Sequence, residues 1–320
     1  MTTPGSSSTP RHAAEVLRRL EIDVSRRLDG ILHGDYRGLV PGHGSEPGEA
    51  RVYQPGDDVR RIDWNVTART AVTHLRESIA DRELECWLVV DRSASLDFGT
   101  SVEEKRDVVL AASAGVGVLT ARGGNRIGAV IVDGSGATTI PPRQGRKHLM
   151  SLLSRIEAAP RVDGRSALDL AGSLDRARSV ARRRGLVVVI SDFVDDPETW
   201  RHQLAGLGVT HEVLCIEVVD PRELELPAVG VLSLVDAETG RVREIDTRRR
   251  KLRDAYAQAA SEHRASVASA VRGAGADLLR LDTNGDWLGA LVRHVERRRR
   301  TSANVGRRPG GSAAVGRTTR

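Results

Sequence analysis

Aromatic side chains are scarce in this chain: four Trp, three Tyr and two Phe make up 3% of its 320 residues. Its core must therefore be assembled from Val, Leu, Ile and Ala. Cysteine is scarcer still. Cys86 and Cys215 stand alone in apolar runs without Cys-x-x-Cys spacing, which excludes a disulfide framework and predicts small buried residues in a reducing compartment. Lysine occurs only at positions 105, 147 and 251, so nearly all the positive charge is Arg. No stretch approaches the ~20 apolar residues of a membrane span, and Met1 to Thr9 lack the hydrophobic segment of a signal peptide. The expectation is a cytoplasmic protein.

A net charge of +6 and a pI near 9.9 suggest a nucleic-acid binder, but the distribution of the charge argues against one. Residues 297 to 320 carry eight Arg and no acid; without them, +6 becomes −2. A nucleic-acid footprint clusters on a folded face. Here the charge sits in a Gly/Ser/Thr-rich end that reads as a disordered tail over 299–320. Binding of nucleic acid or another anionic surface through that tail is an alternative, not the main reading.

What the chain does have is strand–helix alternation. Strand-like runs fall at Leu84–Val90, Arg126–Val132, Ala137–Ile140, Leu186–Ile190, His211–Val218 and Ala276–Leu281. Helical patterns fit about 101–122, 146–157, 167–183, 197–206, 248–273 and 286–298. Apolar strands without alternation are buried on both faces, the mark of a parallel sheet. The predicted fold is α/β, a doubly wound, mostly parallel sheet of the Rossmann-like kind. A β-hairpin insertion fits residues 229–246. Ahead of the sheet, residues 1–8 read as a disordered tail. Residues 9–80 form an N-terminal module with a helix to about residue 30, an irregular stretch from Leu32 to Thr70, and a strand-like run at Val72–Ile79. The main domain spans 81–298.

The most informative residues are Asp91-Arg92-Ser93-Ala94-Ser95, directly after the run Trp87–Val90. One carboxylate and two hydroxyls at the end of a buried strand suit a hard cation, Mg²⁺ or Mn²⁺, which takes oxygen ligands. Two of these ligands are neutral, so a bound ion keeps charge enough to accept a carboxylate from a partner. The same residue types also favour ordinary caps and turns. Asp192 ends another apolar run, Val187–Ser191, and Ser166 precedes a helix; in such sheets ligands bind at the carboxyl ends of the strands. In this order the residues resemble the metal-ion-dependent adhesion site of a von Willebrand factor A domain. That resemblance implies Asp91, Ser93 and Ser95 as a first ligand loop, Ser166 in place of the usual Thr of the second, and Asp192 in the third. Asp97 reads as a helix-start residue, and Asp195 and Asp196 fit the start of the helix at Pro197.

A second signal lies upstream, in Arg51-Val52-Tyr53-Gln54-Pro55-Gly56-Asp57-Asp58-Val59-Arg60-Arg61-Ile62-Asp63-Trp64, followed by Ala68-Arg69 and Arg76-Glu77. Together with Asp91-x-Ser-x-Ser, Phe98-Gly99, Lys105 and Asp236–Gly240, it resembles the DUF58 family of von Willebrand A-like proteins over about residues 30 to 295. Where many relatives have Glu-Phe before the core, this chain has Glu46-Pro47. Arg51, Arg60, Arg61 and Arg69 set against Asp57, Asp58 and Asp63 suit bidentate ion pairs, with Tyr53 and Trp64 as apolar anchors. The plainer reading is a clasp fixing the N-terminal module to the sheet; the sharper one is a docking face or a second acidic metal centre.

No Gly-x-Ser-x-Gly elbow, activated cysteine or histidine cluster with metal-ligand spacing is present among the nine His. The expectation is a non-enzymatic, metal-assisted protein-binding module. The family resemblance implies an adaptor or co-chaperone role with a MoxR-type AAA+ ATPase, in complex assembly or envelope stress. The alternative is a metal-dependent hydrolase using Asp57, Asp58, Asp63, Asp91 and Asp192.

Overall fold

The computed structural model describes residues 51–53, 62, 64–70, 72–75, 84–100, 103–122, 124–133, 136–160, 169–235 and 241–305. The expected helix before residue 30, both terminal tails beyond these limits, Asp57, Asp58, Arg60, Asp63, Ser166 and the hairpin turn 236–240 lie outside the described residues.

The centre is a six-stranded sheet built from β3 (Glu85–Asp91), β4 (Arg126–Asp133), β5 (Gly136–Arg143), β6 (Gly185–Ser191), β7 (Glu212–Val219) and β10 (Asp277–Asp282), in the order β10-β7-β6-β3-β4-β5. Every pairing is parallel except β4 with β5, which form a hairpin at one edge. Each long connection is helical: α2 (Lys105–Arg122), α3 (Arg146–Glu157), α4 (Leu170–Val180), α5 (Pro197–Gly208), α6 (Arg250–Gly273) and, after β10, α7 (Trp287–Val305). The doubly wound α/β fold predicted from the apolar runs is the one present.

Strand alternation divides the core in two. Cys86, Leu88 and Val90 of β3 face one layer with Val108, Val109 and Leu119 of α2, Leu152 and Leu153 of α3, and Leu291 of α7. Trp87 and Val89 face the other, with Leu174 of α4, Trp200 and Leu204 of α5, and Val267 and Val271 of α6. Full burial of each such side chain contributes roughly 1.5–3 kcal/mol, so these unbroken apolar strands hold helices on both faces. Cys86 and Cys215 are free and buried on opposite faces. Burial raises both thiols, Cys86 to about 12, which suits inert packing residues.

Several boundaries differ from the sequence reading. The stretch to Thr70 is not irregular throughout: β1 (Arg51–Val52) pairs antiparallel with β2 (His74–Leu75), and α1 (Trp64–Thr70) lies between them. Thr67 Oγ1 accepts from the His74 amide (3.0 Å), which ties that helix to β2. The closing helix runs to Val305, well past the expected end at 298, so the run Arg297–Arg300 lies on a helix and not in a tail. Arg and Glu propagate helices well, and no Gly or Pro interrupts the chain between Gly289 and Gly306. The hairpin of β8 (Val231–Val235) and β9 (Val242–Asp246) forms a separate two-stranded sheet. No helix among the described residues is long and apolar enough to cross a membrane.

Candidate functional site

The chain leaves β3 toward β4 and β5 on one side, then returns to build β6, β7 and β10 on the other. The sheet therefore reverses its winding between β3 and β6, the point where the loops leaving the carboxyl ends of a doubly wound sheet diverge and leave a crevice for ligands. Pairing runs from Glu85 with Gly185 to Val90 with Ile190, which brings Asp91 level with Ser191.

Apolar sequence stops at Asp91, and the chain turns. The Ser93 amide donates to Asp91 Oδ1 (2.7 Å) and the Ser191 hydroxyl to Oδ2 (2.7 Å). Ser93 begins a short 3-10 turn, Ala94–Leu96, and its hydroxyl lies 3.0 Å from that of Ser95. Asp91, Ser93 and Asp192 are all buried. Burial first, and then the charge of Asp192, push the Asp91 carboxyl up to about 7, against the hydrogen bonds it accepts. The buried Arg92 side chain turns to the Arg106 carbonyl (3.1 Å).

Asp192 opens the loop after β6. Its Oδ2 takes the Lys105 ammonium at 2.8 Å, while Oδ1 has a longer contact, 3.4 Å, from the Val194 amide. The next residue, Phe193, is held at φ +52°, a left-handed conformation uncommon for a bulky side chain. Burial against Trp200, with ring centroids 5.4 Å apart, and a hydrogen-bonding contact of 2.9 Å between His263 Nε2 and the Phe193 carbonyl hold it there.

A third group stands at the end of β7. Buried Asp220 accepts from the Thr100 amide (2.9 Å) and hydroxyl (2.7 Å), the Thr283 hydroxyl (2.8 Å) and the Arg222 amide (2.9 Å). Burial opposes its charge, but these donors outweigh burial and lower its pKa below the usual carboxylate value. Asp220 caps the 3-10 turn Pro221–Glu223, and Glu223 reaches back to the Asp220 amide through Oε2 (2.9 Å). Glu223 Oε1 also takes the Lys105 ammonium, at 2.5 Å. Burial works against the charge of Lys105, yet Asp192 and Glu223 together raise its pKa.

Of the residues picked out by sequence, Asp91, Ser93, Ser95 and Asp192 thus stand at the carboxyl edge on the two strands flanking the crevice; Ser166 lies outside the described residues. The Lys105 contact on Asp192 was not foreseen. Ser191, Asp220 and Glu223 were missed, although Ser191 and Asp220 carry the signal that marked Asp91: a polar residue where an apolar strand run stops. Asp97 does not start a helix. It closes the 3-10 turn, and its carboxylate is held by Arg106.

Among the described residues, no group of three or more His, Cys, Asp or Glu side chains converges on a metal position. The donor set is instead mixed. Two oxygen ligands at right angles on Mg²⁺, each ~2.1 Å from the ion, stand about 3 Å apart, close to the Ser93–Ser95 hydroxyl spacing of 3.0 Å. The same spacing is that of the hydrogen bond the two hydroxyls make with each other; with Asp91 beside them and Asp192 on the loop after the neighbouring strand, their oxygens are of the hard type a divalent ion takes.

The upstream motif is only partly described. The Tyr53 amide donates to the Thr73 carbonyl (2.8 Å), and Arg51 pairs with Leu75 in β1. Trp64, expected as an apolar anchor, is instead 70% exposed at the start of α1, and Arg69 is exposed in its last turn. A helix this short has one side to offer β2, and Trp64 stands off it.

Residues 49–266 match a family described as protein of unknown function DUF58. The uncharacterized protein Rv1480 of Mycobacterium tuberculosis is 54% identical over 298 residues, covering 92% of each chain. Among solved structures, an aerotolerance-related membrane protein from Bacteroides fragilis is 14% identical, covers 67% of this chain and 99% of its own, and has a TM-score of 0.45. BatB from Bacteroides thetaiotaomicron is also 14% identical, with 68% and 99% coverage and a TM-score of 0.42. Likenesses this distant assign nothing to the present chain. With a family match over most of its length and a relative more than half identical, the chain belongs to the DUF58 family.

Proposed function

We propose that the carboxyl edge of the sheet is a non-enzymatic protein-binding site that works with one divalent cation, Mg²⁺ or Mn²⁺, as a von Willebrand A-like module does. The observation that carries this reading is the hydrogen-bonded pair of hydroxyls from Ser93 and Ser95, 3.0 Å apart after the strand that ends in buried Asp91, with Asp192 following the neighbouring strand. Asp91, Ser93, Ser95 and Asp192 would hold the ion. Bound there, it supplies positive charge and an open position for a carboxylate from a partner. The protein's own part is to fix the donors. The Ser93 amide and Ser191 hydroxyl orient both oxygens of Asp91, and His263 holds the backbone of Phe193, the residue after Asp192.

The partner in this reading is a MoxR-type AAA+ ATPase, and the role that of an adaptor or co-chaperone acting in the cytoplasm. One charge-assisted contact controls specificity and register more than total affinity. The test is retention of a purified MoxR-type ATPase from the same organism on immobilised protein, in Mg²⁺ and in excess chelator. Intact protein is expected to retain the ATPase only with Mg²⁺, and Asp91→Ala to lose it in both conditions while staying folded. Equal retention in chelator would overturn the metal-assisted mechanism.

A further inference from the structure

Lys105 has no exposed surface, yet it carries an ammonium group into the crevice. The group is shared between carboxylates from two different strand ends: Asp192 after β6, 87 residues away in sequence, and Glu223 after β7, 118 residues away. The side chain comes from the first residue of α2, whose amide donates to the Phe98 carbonyl (2.8 Å), and its ammonium sits 5.8 Å from the centre of the Phe98 ring. A buried ammonium needs such partners, because an unpaired one is strongly disfavoured.

Resting on the metal-assisted reading above, we propose that Lys105 is a tethered cation that competes with the divalent ion for Asp192, and that Glu223 is the second seat that lets it yield. The two carboxylates are not equivalent. Asp192 is buried and, among the described residues, otherwise accepts a 3.4 Å contact, on the oxygen away from Lys105. The Glu223 side chain is 30% exposed and is anchored through its other oxygen to the Asp220 amide. When Asp192 turns to an arriving ion, Lys105 keeps a fixed, paired position on Glu223 and no bare charge is left inside. Without an ion, Lys105 offsets the repulsion between Asp91 and Asp192. A monovalent ion gains too little from these oxygens to displace a cation already attached to the chain; a divalent ion gains about twice the Coulomb energy at the same distance. The tether therefore favours divalent ions and keeps resting affinity low.

The experiment is a Mn²⁺ titration of the full chain, with free Mn²⁺ read by electron paramagnetic resonance. Lys105→Gln is expected to bind Mn²⁺ at least about tenfold more tightly than the intact protein, because a competing charge a few ångströms from the ion is gone. Glu223→Gln, which leaves Lys105 wholly on Asp192, should bind roughly threefold or more weakly. Arg106→Gln removes a charge already balanced by the Asp97 carboxylate and should change affinity by less than about twofold. Asp91→Ala should abolish binding in the intact and Lys105→Gln backgrounds. If Lys105→Gln folds poorly, Mn²⁺ should raise its thermal midpoint more than that of the intact protein; should it stay unfolded, the Glu223→Gln result decides. Unchanged or weaker binding by folded Lys105→Gln, or unchanged or tighter binding by Glu223→Gln, would overturn the competition while the cation site stood. If neither the intact protein nor Lys105→Gln binds Mn²⁺, the cation site itself fails, and this inference fails with it.

Discussion

Asp220 shows how one side chain at a strand end can hold several loops. Its two oxygens accept four hydrogen bonds, from Thr100, Thr283 and Arg222, and so join the loops that follow β3, β7 and β10. Its folded-state pKa lies below its unfolded one. The stabilisation is therefore complete above the unfolded value, about pH 4, and is lost as pH falls through the lower, folded value. Asp220→Asn is expected to cost about 1–3 kcal/mol at pH 7, the scale of disrupted buried hydrogen bonds. It should also lack the acid-dependent part of the loss below about pH 4. Urea unfolding of both proteins at neutral and acid pH checks this; parallel stability–pH curves would refute it. Phe193 offers a second case. Phe193→Gly relieves the positive φ, worth about 1 kcal/mol, but removes a fully buried ring, worth about 3–5 kcal/mol. Net destabilisation in the same assay is expected, and a stabilised variant would show that the ring packs poorly.

Among the elements, the strands were the most legible. Val187–Val188–Val189–Ile190 is short, β-branched throughout and has no polar break, which suits a strand covered on both faces. Helix starts were legible where a capping residue stands before Pro: Asp196 accepts from the Glu198 amide at 3.0 Å and opens α5. Asp196→Ala should cost about 0.5–2 kcal/mol, read as a lowered urea midpoint with an unchanged slope. A loss within error would mean the Thr199 and Pro197 contributions suffice without the cap. Helix ends were less legible. The last helix continues through Arg297–Arg300, where Arg298 reaches Glu212 and Asp277, and charge alone does not separate such a helical run from a tail. Short pieces such as β1 and α1 carry too few residues to show a period at all.

At the scale of the whole molecule, the site is a product of topology. Asp91 and Ser191 are 100 residues apart, and they meet because β3 and β6 are neighbours at the point where the winding reverses. The place of Asp91, Ser93, Ser95 and Asp192 at this edge was legible in the sequence because each lies next to a strand end or turn. The pairing of Lys105 with Asp192 and Glu223 was not legible: which strand ends a buried side chain reaches depends on strand order, and strand order is not written locally. The same topology gives the account its most direct test, anomalous diffraction from crystals soaked in Mn²⁺. One peak is expected about 2.1–2.3 Å from the Ser93 and Ser95 hydroxyl oxygens, between Asp91 and Asp192. Saturating Mn²⁺ with no peak there, and with the Lys105–Asp192 ion pair unchanged, would contradict it.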